Sequence, residues 1–146
     1  SPDCLTADLG WLLGQAKHAL SAEYAAALEP LGLSPRDYFV LATALGEDHT
    51  QIGLAKLIGM DKTTMVVTID ALEKAGWAER RPSSTDRRVR VIAVTKAGER
   101  KVAQARKLID QVQCDILERL PLRERKGLLQ GLSSLVAECN AHGPAR

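Results

Sequence analysis

The chain has 146 residues, enough for one ordinary domain or one domain with an appended helical lobe, and its 45% hydrophobic and 26% charged residues are those of a globular protein with a real core. No apolar run approaches the roughly 18 residues of a membrane helix, and Ser1-Pro2-Asp3 has neither the basic nor the apolar part of a secretory signal, so a soluble cytoplasmic protein with no membrane partner is expected. The formal net charge is only +2, yet between Trp77 and Thr95 Arg80, Arg81, Arg87, Arg88 and Arg90 stand against Glu79 and Asp86, so this segment alone carries 5 − 2 = +3, the concentrated footprint of a surface for phosphate.

From Leu5 to Leu28, Leu9, Leu12, Leu13, Ala16, Ala19 and Leu20 recur at helical spacing and predict one long first helix, ended by Pro30 and Gly32. Ser34-Pro35-x-Asp37 reads as an N-cap, a proline at the first helical position and an acid in the first turn, opening a helix to about Leu45. Thr50 caps a short helix through Ile58, Gly59 breaks it, and Asp61 caps the next, from Lys62 to Ala75, with Gly76 as its stop. The period then changes. Ala78 to Pro82 and Arg88 to Val94 read as two strands around the polar turn Ser83-Ser84-Thr85-Asp86. Thr95 caps a second long helix to about Leu120, striped by Val102, Ala105, Leu108, Val112 and Ile116. After Pro121 a last helix, Leu122 to Cys139, carries Leu128, Leu129, Leu132, Leu135 and Val136.

The expected fold is mainly α with a small β-hairpin wing: a winged helix-turn-helix flanked by N- and C-terminal dimerisation helices. Residues 31–95 form the DNA-binding lobe, and 1–30 with 96–146 form a helical dimerisation lobe. In this arrangement the second helix of the pair enters the major groove. Met65, Ile69 and Leu72 lie at i, i+4 and i+7 and face the core, which puts Lys62, Thr63, Val66 and Val67 on the outer side. Lys62, Thr63 and Thr64 can donate to phosphate or bases.

Leu31-Gly32-Leu33-Ser34, Leu54-Ala55 with Leu57 and Gly59, Asp61-Lys62-Thr63-Thr64, Leu72-Glu73-Lys74-x-Gly76-Trp77 and Asp86-Arg87-Arg88 leading to Val94-Thr95-x-x-Gly98 follow one another in a fixed order. In that order and spacing the chain resembles the MarR family of bacterial transcriptional regulators. The resemblance implies a homodimer on a palindromic double-stranded operator, with Asp86 holding Arg88 for the minor groove. A bland alternative for that pair is a surface ion pair worth about 0–1 kcal/mol. Arg80, Arg81, Arg87 and Arg90 are counted with them as candidate DNA contacts. The chain departs from the family at Val66 and Val67, where polar or basic residues are usual, and at Ala71, where arginine is common.

Many members of that family are released from DNA by a small, often aromatic, anionic effector. Trp11 and His18 share a helix face with Gly14 between them, and Tyr38 lies on the next helix, so these four are the candidate pocket; the alternative is ordinary core. Other members sense oxidants through a cysteine that the resemblance places at Gly10, whereas Cys4 lies nearly two turns earlier. Cys114 is expected to be a small buried residue. Cys4, Cys114 and Cys139 contain no Cys-x-x-Cys pair, and His18, His49 and His142 are scattered, so no metal, cofactor or catalytic site is expected. A thiol-based redox regulator and a winged-helix protein-interaction module remain the alternative functions.

Overall fold

The computed structural model describes residues 8–142. Asp8 accepts a hydrogen bond from the Trp11 amide and caps α1 (Leu9–Leu28), so the part of the expected first helix before Asp8 lies outside the described residues. A one-turn 3-10 helix, Glu29–Leu31, carries the chain to Gly32, whose φ of 68° is the left-handed conformation that ends it. The capping box predicted at Ser34 is formed: the Ser34 hydroxyl accepts from the Asp37 amide while the Asp37 carboxylate accepts from the Ser34 amide, and α2 (Pro35–Gly46) follows.

Thr50 caps α3 (Gln51–Ile58) and Asp61 caps α4 (Lys62–Lys74), with Gly59 at φ 77° making the turn between them. Each cap satisfies an amide that the first turn leaves without a helical partner. β1 (Ala78–Pro82) and β2 (Arg90–Val94) pair antiparallel, Ala78 opposite Val94 and Pro82 opposite Arg90. An isolated antiparallel bridge pairs His49 with Ile92 of β2. Two further helices, α5 (Lys96–Glu118) and α6 (Leu122–His142), complete the order.

Leu28, Val40, Leu41, Leu54, Met65, Ile69, Leu72 and Val102 are the large side chains at the centre of the core. Thr68 is buried among them with its hydroxyl donating to the Thr64 carbonyl at 2.7 Å. Gly98 is required by close approach, because a Cβ there would fall 2.0 Å from the Trp77 carbonyl oxygen. That carbonyl also accepts from the Thr95 amide, so the hairpin exit and the start of α5 are drawn together. Thr95 completes the joint, accepting from the Gly98 amide and donating to the Gly76 carbonyl.

The chain divides into two compact units, one ending at Ile109 and one beginning at Asp110. Within the first, α1 packs on α2, and Val102, Ala105 and Ile109 of α5 are buried. The stripe of α5 therefore runs through Ile109 where Leu108 was expected, and Leu108 is exposed. Cys114 also departs from expectation. It is exposed, because it falls out of phase with the stripe that Val102, Ala105 and Ile109 define. In the second unit, α6 has no buried residue and exposes Leu122, Leu128, Leu129, Leu135 and Val136. Among the described residues no helix is long and apolar enough to cross a membrane.

Candidate nucleic-acid interface

The surface of interest is built by α4 and the hairpin that packs on it. Met65, Thr68, Ile69 and Leu72 turn one side of α4 into the core, which leaves Lys62, Thr63, Val66, Val67, Asp70, Ala71 and Lys74 exposed. Thr64 sits at the edge of that face. Its amide donates to Asp61 Oδ1 at 2.8 Å and its hydroxyl to Asp61 Oδ2 at 2.7 Å, so the hydroxyl is committed to the helix cap. These two bonds, the side-chain one first, hold the Asp61 carboxyl below its ordinary pKa, although the group is open to solvent.

The hairpin loop is longer than the sequence suggests. β2 begins at Arg90 rather than Arg88, because Asp86 turns the chain before the ladder starts. Its carbonyl accepts from the Val89 amide at 3.0 Å, and the Ser83 amide closes the loop on the Val89 carbonyl at 2.7 Å. The Asp86 carboxylate accepts from the Arg88 amide at 3.1 Å and from Arg88 Nε at 3.3 Å. Arg88 is thereby anchored at its base while its side chain is 91% exposed, in the loop beside exposed Arg87. A guanidinium held at Nε keeps its outer nitrogens for another acceptor.

Arg80 stands apart from the other arginines. Its guanidinium pairs with Glu73, lies 2.9 Å from Asp70 Oδ1, and donates to Gln51 Oε1 from Nε and from a terminal nitrogen. Only 26% of the side chain is exposed. It ties β1 to the outer face of α4 and to the start of α3, and it offsets one of the two negative charges that Asp70 and Glu73 present on α4. Arg81 pairs with Glu79 and remains largely exposed, as does Arg90. Arg80 is among the candidate DNA contacts read from charge; its partners Asp70, Glu73 and Gln51 are what the structure adds.

A cleft of about 840 Å³ opens at the turn of the helix-turn-helix. Lys17 and Ser21 of α1, Arg36, Phe39 and Thr43 of α2, and Leu57, Met60, Asp61 and Thr64 line it, so one wall is the cap of α4 itself. The ring of Phe39 is braced by Tyr24 at 6.3 Å and Tyr38 at 5.5 Å between centroids. Trp11, Gly14, His18 and Tyr38 do not come together here. Trp11 and His18 are exposed on α1, a Cβ on Gly14 would meet nothing within 4 Å, and Tyr38 is buried. The signal for the cleft was the spacing of Arg36, Phe39 and Thr43 at i, i+3 and i+7, one residue out of phase with Tyr38 and Leu41.

The MarR family model matches residues 33–89, which run from the end of the 3-10 turn through the hairpin loop. CouR from Rhodococcus jostii RHA1, bound to p-coumaroyl-CoA, superposes with a TM-score of 0.82 at 28% identity, covering 97% of each chain. A MarR-family transcriptional regulator from Rhodococcus sp. RHA1 gives 0.78 at 29% identity, over 89% of this chain and 94% of the other. The chain has the MarR-like fold, and its residues 33–89 match the MarR family. The repressor CouR bound to a 23-mer DNA duplex is similar too, with a TM-score of 0.78 and 27% identity over 91% of this chain and 94% of that one. MarR-family regulators are DNA-binding proteins and not enzymes, and α3, α4 and the β1–β2 hairpin are this chain's winged helix-turn-helix.

Proposed function

We propose that this chain is a MarR-family regulator that acts in the cytoplasm as a homodimer, most simply as a repressor, and binds a palindromic operator that a small aromatic anion releases. The observation that carries the DNA half is the anchored, outward Arg88. A guanidinium fixed at its base suits a narrow, A·T-rich minor groove, where negative potential is concentrated. In this reading α4 lies in the adjacent major groove with Lys62 and Thr63 at its leading end, and Arg81, Arg87 and Arg90 meet phosphates. Two copies would occupy half-sites about one helical turn, roughly 10 bp, apart.

The dimer reading rests on apolar surface that one chain leaves open. Leu9, Leu12 and Leu13 on α1, and Leu128, Leu129 and Val136 on α6, are exposed at helical spacing. Such stripes are stable in water when a second copy covers them. The expected division into a helical lobe (1–30 with 96–146) and a DNA lobe (31–95) belongs to that assembly.

The cleft supports the effector half. Lys17 and Arg36 supply positive charge, Phe39, Leu57 and Met60 supply apolar wall, and the volume is within the usual range of about 300–1,000 Å³ for ligand sites. An aromatic anion fits that chemistry, and CouR's p-coumaroyl-CoA is an aromatic acyl thioester bearing phosphates. Trp11, His18 and Tyr38 contribute, in this reading, through the packed assembly rather than as walls within one chain. The test is a titration of aromatic carboxylates, phenols and aromatic acyl thioesters against the protein–DNA complex. At least one compound is expected to release DNA, with the response blunted by Arg36→Ala or Lys17→Ala. Release by peroxide but by no compound would favour the thiol alternative, with Cys114 and Cys139 exposed.

A further inference from the structure

The recognition helix has an unusual inventory. Its sequence, Lys62–Lys74, contains no arginine, asparagine or glutamine, so the side chains that read guanine or adenine by paired hydrogen bonds are absent from it, Lys62 and Lys74 aside. The structure narrows the list further. The Thr64 hydroxyl is spent on Asp61, the Thr68 hydroxyl is buried on the Thr64 carbonyl, and Asp70 and Glu73 are held by Arg80. What remains open on the face is Lys62, Thr63, Val66, Val67, Ala71 and Lys74.

Val66 is 39% exposed and Val67 57% exposed, so neither is consumed by packing against α3. They sit on the exposed face of α4, between Lys62 at its start and Lys74 at its end. An apolar patch in a cationic frame suits a polyanion that presents methyl groups. In the major groove that group is the thymine 5-methyl, the one apolar feature of the base edges. We infer that Val66 and Val67 are the specificity-determining residues of this regulator and that they select thymines at adjacent positions of each half-site by methyl contact. Arg80 supports this as a positioning residue, because it holds Asp70 and Glu73 and offsets one of the two negative charges they place on α4.

The inference rests on the DNA-binding reading above and is tested with DNA chemistry, so the protein need not be altered to judge it. Duplexes are enriched from a random pool by the full chain, and each half-site thymine is then replaced by uracil, which removes the methyl and keeps the pairing. Substitution at the positions facing the valines is expected to weaken binding about four-fold per thymine, the effect of losing one buried methyl group. The loss should shrink toward none in a Val66→Ala, Val67→Ala protein, since both side chains are on the surface. Enriched half-sites without thymine, or uracil duplexes bound as tightly as their parents, overturn the methyl reading and leave DNA binding standing. A chain that enriches no duplex at all overturns both readings.

Discussion

Two arginines one residue apart on β1 illustrate how little a charge count says about a side chain's work. Arg81 is exposed beside Glu79, while Arg80 is drawn into Asp70, Glu73 and Gln51. Arg80→Ala should therefore weaken operator binding more than Arg81→Ala, because it unmasks two carboxylates on the DNA-facing side as well as removing a cation. It should also cost about 1 kcal/mol of stability, as breaking a partly exposed ion-pair network does, whereas Arg81→Ala should leave the melting curve in place. Equal effects of the two on both readouts would contradict the clamp. Asp86→Ala tests the opposite sign: it removes a negative charge from the wing, yet binding should weaken because Arg88 loses its anchor. Tighter binding would mean that bulk charge outweighs orientation. Asp61 adds a pH dependence. Its carboxyl is held low by the Thr64 hydroxyl and amide, so its cap stabilises the fold at neutral pH and is lost as acid protonates it. An Asp61→Ser protein, which keeps a cap without a titrating group, should lose less stability than the parent as the pH falls below about 4; parallel acid curves would contradict this.

Among the elements, helix starts were the most legible. Ser34, Thr50 and Asp61 cap where their side chains predict, since each offers an oxygen to an amide two or three residues ahead. The face of α4 was legible too, because Met65, Ile69 and Leu72 fix its phase. The wing was harder. Val89 reads as a strand residue, but Asp86 captures the Arg88 amide and delays the ladder to Arg90, an interaction between side chain and backbone that hydropathy cannot reveal. The cleft was not legible, because Phe39 is separated from its buried neighbour Tyr38 only by helical phase, and the candidate pocket of Trp11, Gly14, His18 and Tyr38 names none of its lining residues. The joint between wing and α5 gives a sharp stability test. Gly98→Ala would drive a methyl into the Trp77 carbonyl, and the backbone must move, at a cost of about 1–3 kcal/mol. Thermal denaturation should show the drop, while Gly127→Ala on α6, where a Cβ meets nothing within 4 Å, should show none.

At the scale of the molecule, the proposed function gives the basic wing and the valine face to DNA and the uncovered stripes of α1 and α6 to a second copy. Net charge is small, so long-range attraction to DNA is a matter of where the arginines sit rather than how many there are. Two copies would double every phosphate and groove contact, and salt dependence counts those contacts. The most direct measurement is the affinity of the full chain for its enriched duplex between about 50 and 200 mM salt, with the number of chains per duplex read by sedimentation. Two chains per duplex are expected, with log affinity falling linearly against log salt. In Arg88→Ala the slope should shrink by about 2, one ionic contact from each copy. A flat slope, or a single chain on one half-site with the slope unchanged by Arg88→Ala, would contradict a dimer that grips DNA through its wings.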